Sequence, residues 1–253
     1  MKRQLPNVTL LAMSSVRIGD TIKALKHSMK KIEFGEVVLV SHRKPLGLPE
    51  KIHFKYTDRI ESIDDFNYKM VYDLGQYVDT DYVIIIHYDG FIVHPEQWRD
   101  EFMNYDYIGA PWPENHGSDF RDSKDEICRV GNSVSLRSKR LLDYPMRAGI
   151  PWEPMSSGWF NEDTFLCCKH KNEMEEEGML WAPLEVAIWF SHETDLPENE
   201  GIESFAFHKF WNQNEKYKVY IHPVKYYLKK LYEVVFDKRG RKKINECLPK
   251  EKN

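Results

Sequence analysis

Several things are scarce in this sequence, and each scarcity narrows what the protein does. Only four cysteines are present, Cys128, Cys167, Cys168 and Cys247, and they show no metal-type spacing. The adjacent pair Cys167–Cys168 is awkward for a disulfide framework, so a reduced, cytoplasmic setting is the simpler expectation. No apolar stretch approaches ~18 residues, the length that crosses a bilayer. Met1-Lys2-Arg3 ahead of Val8–Met13 faintly imitates a secretory signal. However, Pro6 and Asn7 come first, the apolar run is short, and Arg17 and Asp20 follow quickly, so the run reads as a buried first strand. Positive charge is not in surplus either. With 36 Lys and Arg against 40 Asp and Glu, the net charge is -4, which argues against a general nucleic-acid binder. A Walker A loop ending in Gly-Lys-Ser/Thr and a Gly-x-Gly-x-x-Gly fingerprint are both missing, which weakens several phosphate-transfer and dinucleotide readings.

What is present is a globular composition, 42% hydrophobic and 30% charged, in a chain long enough to bury a substantial core. The first half alternates strand and helix signals. Val8–Met13 is an apolar run of the kind buried on both faces. Asp20 is placed to cap a helix running to about Ile32, with Ile22, Leu25, Met29 and Ile32 on one face. Glu36–Val40 and Ile52–Tyr56 follow as strands. Asp64 or Asp65 then caps a helix carrying Phe66, Met70, Leu74 and Tyr77. Tyr82-Val83-Ile84-Ile85-Ile86 is the strongest strand signal, ending at His87-Tyr88-Asp89-Gly90. This β-α-β-β-α-β order implies an α/β fold with a mainly parallel sheet flanked by helices.

The second half is less regular. Glu114–Glu126 and Glu193–Ser204 are polar loops, Val130–Leu142 holds a strand followed by a helix, and a helix is expected from about Glu162 to Glu177. From Pro223 an amphipathic helix presents Val224, Tyr227, Leu228, Leu231 and Val235 on one side. The division expected is therefore one domain over 1–222 with a helical, basic extension over 223–253.

Ligands of open α/β sheets bind beyond the carboxyl ends of the strands, which puts Asp89 in view. A carboxylate there is placed to hold a cation, although Asp-Gly after a strand is also a common turn. Ser14, Ser15 and Arg17 leave the first strand with hydroxyl and guanidinium groups suited to a base, ribose or phosphate, and Lys69 is a second phosphate candidate. Each also reads as an ordinary loop or helix-face residue. Asp163 sits where Asn161 would cap a helix, a rigid position for a general base, yet one whose N–H groups would lower its pKa. Trp159, just before Glu162-Asp163, suits stacking on a sugar face, whereas Trp112 and Trp152 read equally as plugs.

Five segments, HYDGFIVHPEQW, YDYIGAPW, VGNSVSLRSKRLL, NEDTF and FAFHKF, occur in an order that resembles the bacterial DUF5672 family, which is glycosyltransferase-like. The likeness runs from about Val8 to Phe210. Two positions depart from it, since the family often has Gln at His87 and Gly-Gly at Ser133-Val134. The resemblance implies a GT-A-like (Rossmann-like) fold. It also implies transfer of a sugar from a nucleotide donor, UDP-sugars favoured, to a glycan or lipid-linked acceptor in surface polysaccharide synthesis. Asp89 resembles the final acid of the Asp-x-Asp element that holds Mn²⁺ or Mg²⁺, with His87 in the place of the first acid. His208 resembles the late metal-site histidine, though a core histidine is the competing reading. Glu162-Asp163 resembles the acidic pair supplying the base in inverting members, and Gly131-Asn132 the turn beneath the sugar. Two other readings stay open, a nucleotidyltransferase or phosphotransferase using the same metal-bound diphosphate, and a non-catalytic sugar-nucleotide-binding module. The basic C-terminal tail, Lys238 to Asn253, adds peripheral contact with the inner face of a membrane to the expectation, against the plainer reading of a helix packed on its own domain and a solvated end.

Overall fold

In the computed structural model, residues 2–114 and 117–236 are described, and among these the side chains of residues 132, 133 and 232–236 lie outside the description. The strands are β1 (Arg3–Met13), β2 (Ile32–Ser41), β3 (His53–Tyr56), β4 (Tyr82–Ile85), β5 (Gly90–Ile92), β6 (Tyr107–Pro111), β7 (Val130–Ser138), β8 (Ser191–His192) and β9 (Ala206–His208). The α-helices are α1 (Ile18–Ser28), α2 (Ile63–Tyr68), α3 (Lys139–Ala148), α4 (Glu162–Thr164), α5 (Lys171–Glu176), α6 (Leu184–Phe190) and α7 (Pro223–Phe236).

Six strands form one sheet in the order β3-β2-β1-β4-β7-β6. The first four run parallel, β7 runs antiparallel to β4, and β6 antiparallel to β7. Alternate side chains feed two cores, as the period of a strand requires. Leu10, Ala12, Leu39, Ile84 and Leu136 face one core, and Leu11, Met13, Val38, Val83 and Ile85 the other. A strand buried on both faces reads as an unbroken apolar run, which is why β1 and β4 were the clearest sequence signals. Each fully buried Leu, Ile or Val contributes roughly 1.5–3 kcal/mol. This is a mixed, mainly parallel α/β sheet flanked by helices, as the alternating pattern implied.

A second sheet, β5-β9-β8, sits beside the first. Within it β5 pairs antiparallel with β9, so that Gly90 lies opposite His208. The Ser28 hydroxyl accepts the Ile92 N–H at 3.2 Å and ties α1 to this sheet.

Several boundaries differ from the sequence reading. Helix α1 ends at Ser28, and Ile32 opens β2 instead of closing the helix. The residue before α1 is Arg17 in the left-handed region (φ 50), while Asp20 lies in the first turn. Ser62, not Asp64 or Asp65, caps α2 by accepting the Asp65 N–H, and the chain continues through a π-helical Lys69–Asp73 and a 3-10 Leu74–Tyr77. The helix expected over Glu162–Glu177 breaks into α4, a π-helical Phe165–Lys169 and α5. Apolar periodicity persisted through these breaks, so it could not register them. Helix α7 starts at Pro223 and leaves Val224, Tyr227, Leu228 and Leu231 exposed. The tail from Asp237 lies outside the described residues.

Candidate functional site

Where β1 and β4 end, the sheet opens into a cleft of about 880 Å³. That size lies within the roughly 300–1,000 Å³ usual for small-molecule sites. Because β7 runs antiparallel, its first residues reach the same edge, and so do the last residues of β6. At that edge a Cβ on Gly131 would stand 1.9 Å from the Trp112 ring, so only glycine lets Trp112 seat there. Trp112 closes the floor, edge-on to Phe120 at 4.7 Å.

The first wall is a turn. After Ile86 the N–H of His87 donates to the carbonyl of Gly90 at 2.6 Å, which throws Tyr88 and Asp89 out over the cleft. The Lys209 N–H donates to the Asp89 carbonyl at 2.7 Å and locks β9 beside this turn. A Cβ on Gly90 would lie 2.6 Å from His208 Cδ2, so glycine is needed for the close approach. The result brings Asp89 Oδ1 to 4.0 Å from His208 Nε2. Glu193 accepts a hydrogen bond from His208 Nδ1 at 3.0 Å, which sets the ring with its Nε2 edge towards Asp89. Glu193 is buried, which alone would raise its pKa, but the neighbouring His208 and Lys209 outweigh this and hold it below the ordinary carboxylate range.

An oxygen and an imidazole nitrogen 4.0 Å apart suit one hard cation with bonds of about 2.1 Å. The carboxylate behind His208 is the supporting arrangement that metal-ligating histidines use. Among the described residues no cluster of three or more His, Cys, Asp or Glu converges on one point. A cation here would therefore rest on two side chains and on phosphate and water oxygens, the manner of Mg²⁺-type ions in phosphate chemistry.

The opposite wall is α4. Asn161 caps it, its Oδ1 accepting the N–H groups of Asp163 at 3.0 Å and Thr164 at 3.2 Å. Asp163 faces the cleft with 14% of its side chain exposed, and Tyr107 donates to its Oδ1 at 3.4 Å. Glu162 turns inward instead. Its Oε2 takes the Arg137 guanidinium at 2.7 Å, with Arg137 wholly buried and Asp163 3.7 Å from the same group. Arg137 comes from β7, where Ser135 and Arg137 share the face opposite Val134 and Leu136. Burial and then the neighbouring Glu162 carboxylate raise the Asp163 pKa well above its ordinary value, with Arg137 offsetting only part. The lowered pKa expected from the helix N-terminus is thus overruled by desolvation and a like charge.

Ser14, Ser15, His87, Asp89, Trp159, Asp163 and His208 therefore meet in one cleft. Ser14 and Ser15 also build the loop they sit on. Ser15 Oγ accepts the Ile60 N–H at 2.9 Å, and Ser14 Oγ the Val16 N–H at 3.2 Å. Trp159 is 70% exposed and available to a ligand, while Trp152 stacks on Phe160 at 5.2 Å as a plug. Three expected contacts lie elsewhere. Lys69 is held by Asp65 and Asp73, away from the cleft lining. Arg17 lines a neighbouring cavity. Glu162 is enclosed. The Asn132 side chain lies outside the description. Arg137, Glu193 and Lys209 went unread in the sequence. Arg137 had a signal, a charge at an inward position of an otherwise apolar strand, whereas Glu193 was hidden in a polar run.

Comparison with solved structures places the fold. The chain is similar to an active-site mutant of LgtC, with a TM-score of 0.53 and 10% identity over 85% of this chain and 95% of that one. It is also similar to a glycosyltransferase involved in the glycosylation of the major capsid of PBCV-1, with a TM-score of 0.48 and 11% identity over 86% and 99% of the two chains. A third likeness is to apo-form GlyE of Streptococcus pneumoniae TIGR4, with a TM-score of 0.44 and 12% identity over 87% and 60%. The first of these identifies the architecture as GT-A-like. No curated protein matches the sequence. Residues 51–208 match the family model described as "Protein of unknown function (DUF5672)", a span that runs from before α2 to His208 at the heart of the cleft, and the chain belongs to that family.

Proposed function

We propose that the protein is a metal-dependent glycosyltransferase that moves a sugar from a nucleotide donor, a UDP-sugar favoured, to a glycan or lipid-linked acceptor, in surface polysaccharide synthesis. The observation that carries this reading is the pairing of Asp89 and His208 across 4.0 Å, with Asp163 on the facing wall of the same cleft. Asp89 and His208 would hold Mn²⁺ or Mg²⁺, which when bound supplies positive charge to the diphosphate as it leaves. Ser14 and Ser15 border the nucleoside end, and Trp159 offers a flat apolar face to the sugar.

In this reading Asp163 is the general base. The acceptor hydroxyl attacks the anomeric carbon as the bond to the diphosphate oxygen breaks, and the hydroxyl proton passes to Asp163. A carboxylate whose pKa is pushed up from the acidic range towards working pH is a better proton acceptor than an ordinary one. Attack from the face opposite the leaving group gives inversion. Glu162, enclosed with Arg137, positions Asp163 and tunes it without touching substrate.

Asp89→Ala tests the reading. Asp89 lies in the cleft and not in the core, so the variant should fold and yet show no Mn²⁺-dependent heat of UDP binding by calorimetry. Wild-type affinity in that titration would remove the metal role and the reading with it.

A further inference from the structure

Behind the Tyr88–Asp89 turn lies a second cavity of about 340 Å³. Arg17, Lys209, Lys218 and His222 line it, and among the described residues Asp89 is the one carboxylate in its wall. Tyr88, Asp89 and Lys209 line both cavities and so stand between them. The cations are held on rings and carboxylates that fix their direction. The Arg17 guanidinium lies 4.4 Å above the Tyr88 ring and bonds to Asp20 at 3.2 Å and His222 Nε2 at 3.1 Å. Lys209 Nζ bonds to Glu193 at 2.7 Å and lies 4.6 Å from the Trp211 ring. Lys218 Nζ is 5.8 Å from the Phe210 ring.

The backbone here is costly. Among the described residues four non-glycine positions have left-handed φ, namely Arg17, Asp125, Lys209 and Asn212. Arg17 and Lys209 are in the wall of this cavity, and Asn212 follows Trp211. Such conformations concentrate where side chains must be aimed at a ligand.

Arg17 and Lys209 are each paired with a carboxylate, Asp20 and Glu193, but a guanidinium has five N–H donors and an ammonium three, and together with Lys218 and His222 they suit an anion with several acceptor oxygens. The donor already has the 880 Å³ cleft, and a transferase has a second substrate to place. From Lys218 and His222 the chain runs directly into α7, whose exposed Val224, Tyr227, Leu228 and Leu231 offer an apolar surface next to the cavity. Lys225, Lys229 and Lys230 lie along the same helix, and from Lys238 to Asn253 seven basic residues stand against two acidic ones. A phosphate next to an apolar chain is the chemistry of a phosphorylated lipid. We infer that this side cavity binds a phosphate group of the acceptor and that α7 lies against the lipid part of that molecule. This rests on the glycosyltransferase reading for the word acceptor, but the binding itself does not.

The test uses the full chain with Lys218→Glu and Lys218→Gln, and three probes. These are phosphatidylcholine vesicles carrying a polyprenyl monophosphate, vesicles carrying phosphatidylserine at equal surface charge, and a soluble hexose 1-phosphate. Wild type should prefer the polyprenyl phosphate vesicles over the phosphatidylserine ones. Both variants should lose that preference by about tenfold or more, the worth of one charge-assisted contact, while their melting temperatures and Mn²⁺–UDP affinities stay at wild-type values. Tight binding of the hexose 1-phosphate, lost in the variants, would keep the phosphate site and make its source a soluble acceptor. Binding that follows surface charge alone would overturn the inference. So would a variant that loses UDP affinity and keeps phosphate binding, because the cavity would then serve the donor. Failure of Asp89→Ala to affect UDP binding would sink the transferase reading and leave this result standing.

Discussion

Two carboxylates look into one cleft from walls of opposite character. Glu193 is set beside two hydrogen-bond donors, and although burial works against its charge, His208 and Lys209 keep it ionised below the ordinary range. Asp163 is set beside a second acid, and burial together with Glu162 pushes it well above. Arg137 lies close to Asp163, yet its guanidinium is already committed to Glu162 at 2.7 Å, against 3.7 Å to Asp163. The difference teaches that burial alone assigns no role to an acid here, because both are largely buried, with 11% and 14% of their side chains exposed. The sign of the nearest partner decides. The wall that keeps its acid charged is suited to orienting His208, and the wall that raises its acid is suited to accepting a proton. Environments that drive two acids apart are the usual mark of divided labour in a catalytic site.

The largest effect should come from making the raised acid permanently neutral. Asp163→Asn keeps the shape and loses the proton acceptor, so transfer should fall by ~10²–10⁴-fold with donor affinity unchanged. Stability should move the other way. Above the ordinary aspartate value of 3.8 the folded protein still holds a proton that the unfolded chain has released. The wild-type fold therefore loses stability as pH rises from that value through the raised one. Asparagine carries no such penalty, so the variant should melt no lower than wild type at neutral and alkaline pH. Unchanged turnover would place the base elsewhere and end the contrast between the walls.

A smaller effect should follow from weakening the charged wall. Glu193→Gln retains an oxygen for His208 Nδ1 and removes the charge that makes Nε2 a better donor to a cation. Losses of ~10–100-fold in metal affinity are usual for such supporting groups. Titration with Mn²⁺ followed by electron paramagnetic resonance reads it directly. Affinity equal to wild type would mean that Glu193 serves Lys209 and not the cation.

The Asp163 side of this contrast could be read in the sequence, and the Glu193 side could not. β1 and β4 announced themselves because burial on both faces leaves no polar residue to blur the run, and their exits located Ser14, Ser15 and Asp89. Asn161 announced the start of α4 because capping is local chemistry. His208 reached the cleft through the pairing of Gly90 with β9, a long-range contact that no local pattern encodes. Lys69 and Arg17 are held by carboxylates close in sequence, Asp65 and Asp73 one helical turn to either side of Lys69 and Asp20 three residues after Arg17, a spacing that was legible but went unused. Glu162 and Asp163 are adjacent and alike in sequence. Only the position of Arg137, on a strand paired to both β4 and β6, decides which one is enclosed and which one meets the solvent.

The most delicate test leaves both walls standing and changes only the coupling inside one of them. Glu162→Gln removes the negative charge next to Asp163. It also leaves the buried Arg137 with one carboxylate fewer, so more of its positive charge acts on Asp163. Both changes favour the ionised form, and the Asp163 pKa must fall. If Asp163 is the base, transfer fails below its pKa, so the acidic limb of the rate–pH profile lies above the ordinary carboxyl range in the wild type. In Glu162→Gln that limb should shift to lower pH, with the plateau rate reduced only modestly because Asp163 itself is retained. A variant that merely loosened α4 would lower the plateau and leave the midpoint where it was. A limb that moved upward would mean that Arg137 acts through Glu162 to stabilise charge on Asp163, the reverse of the arrangement in which Glu162 opposes it.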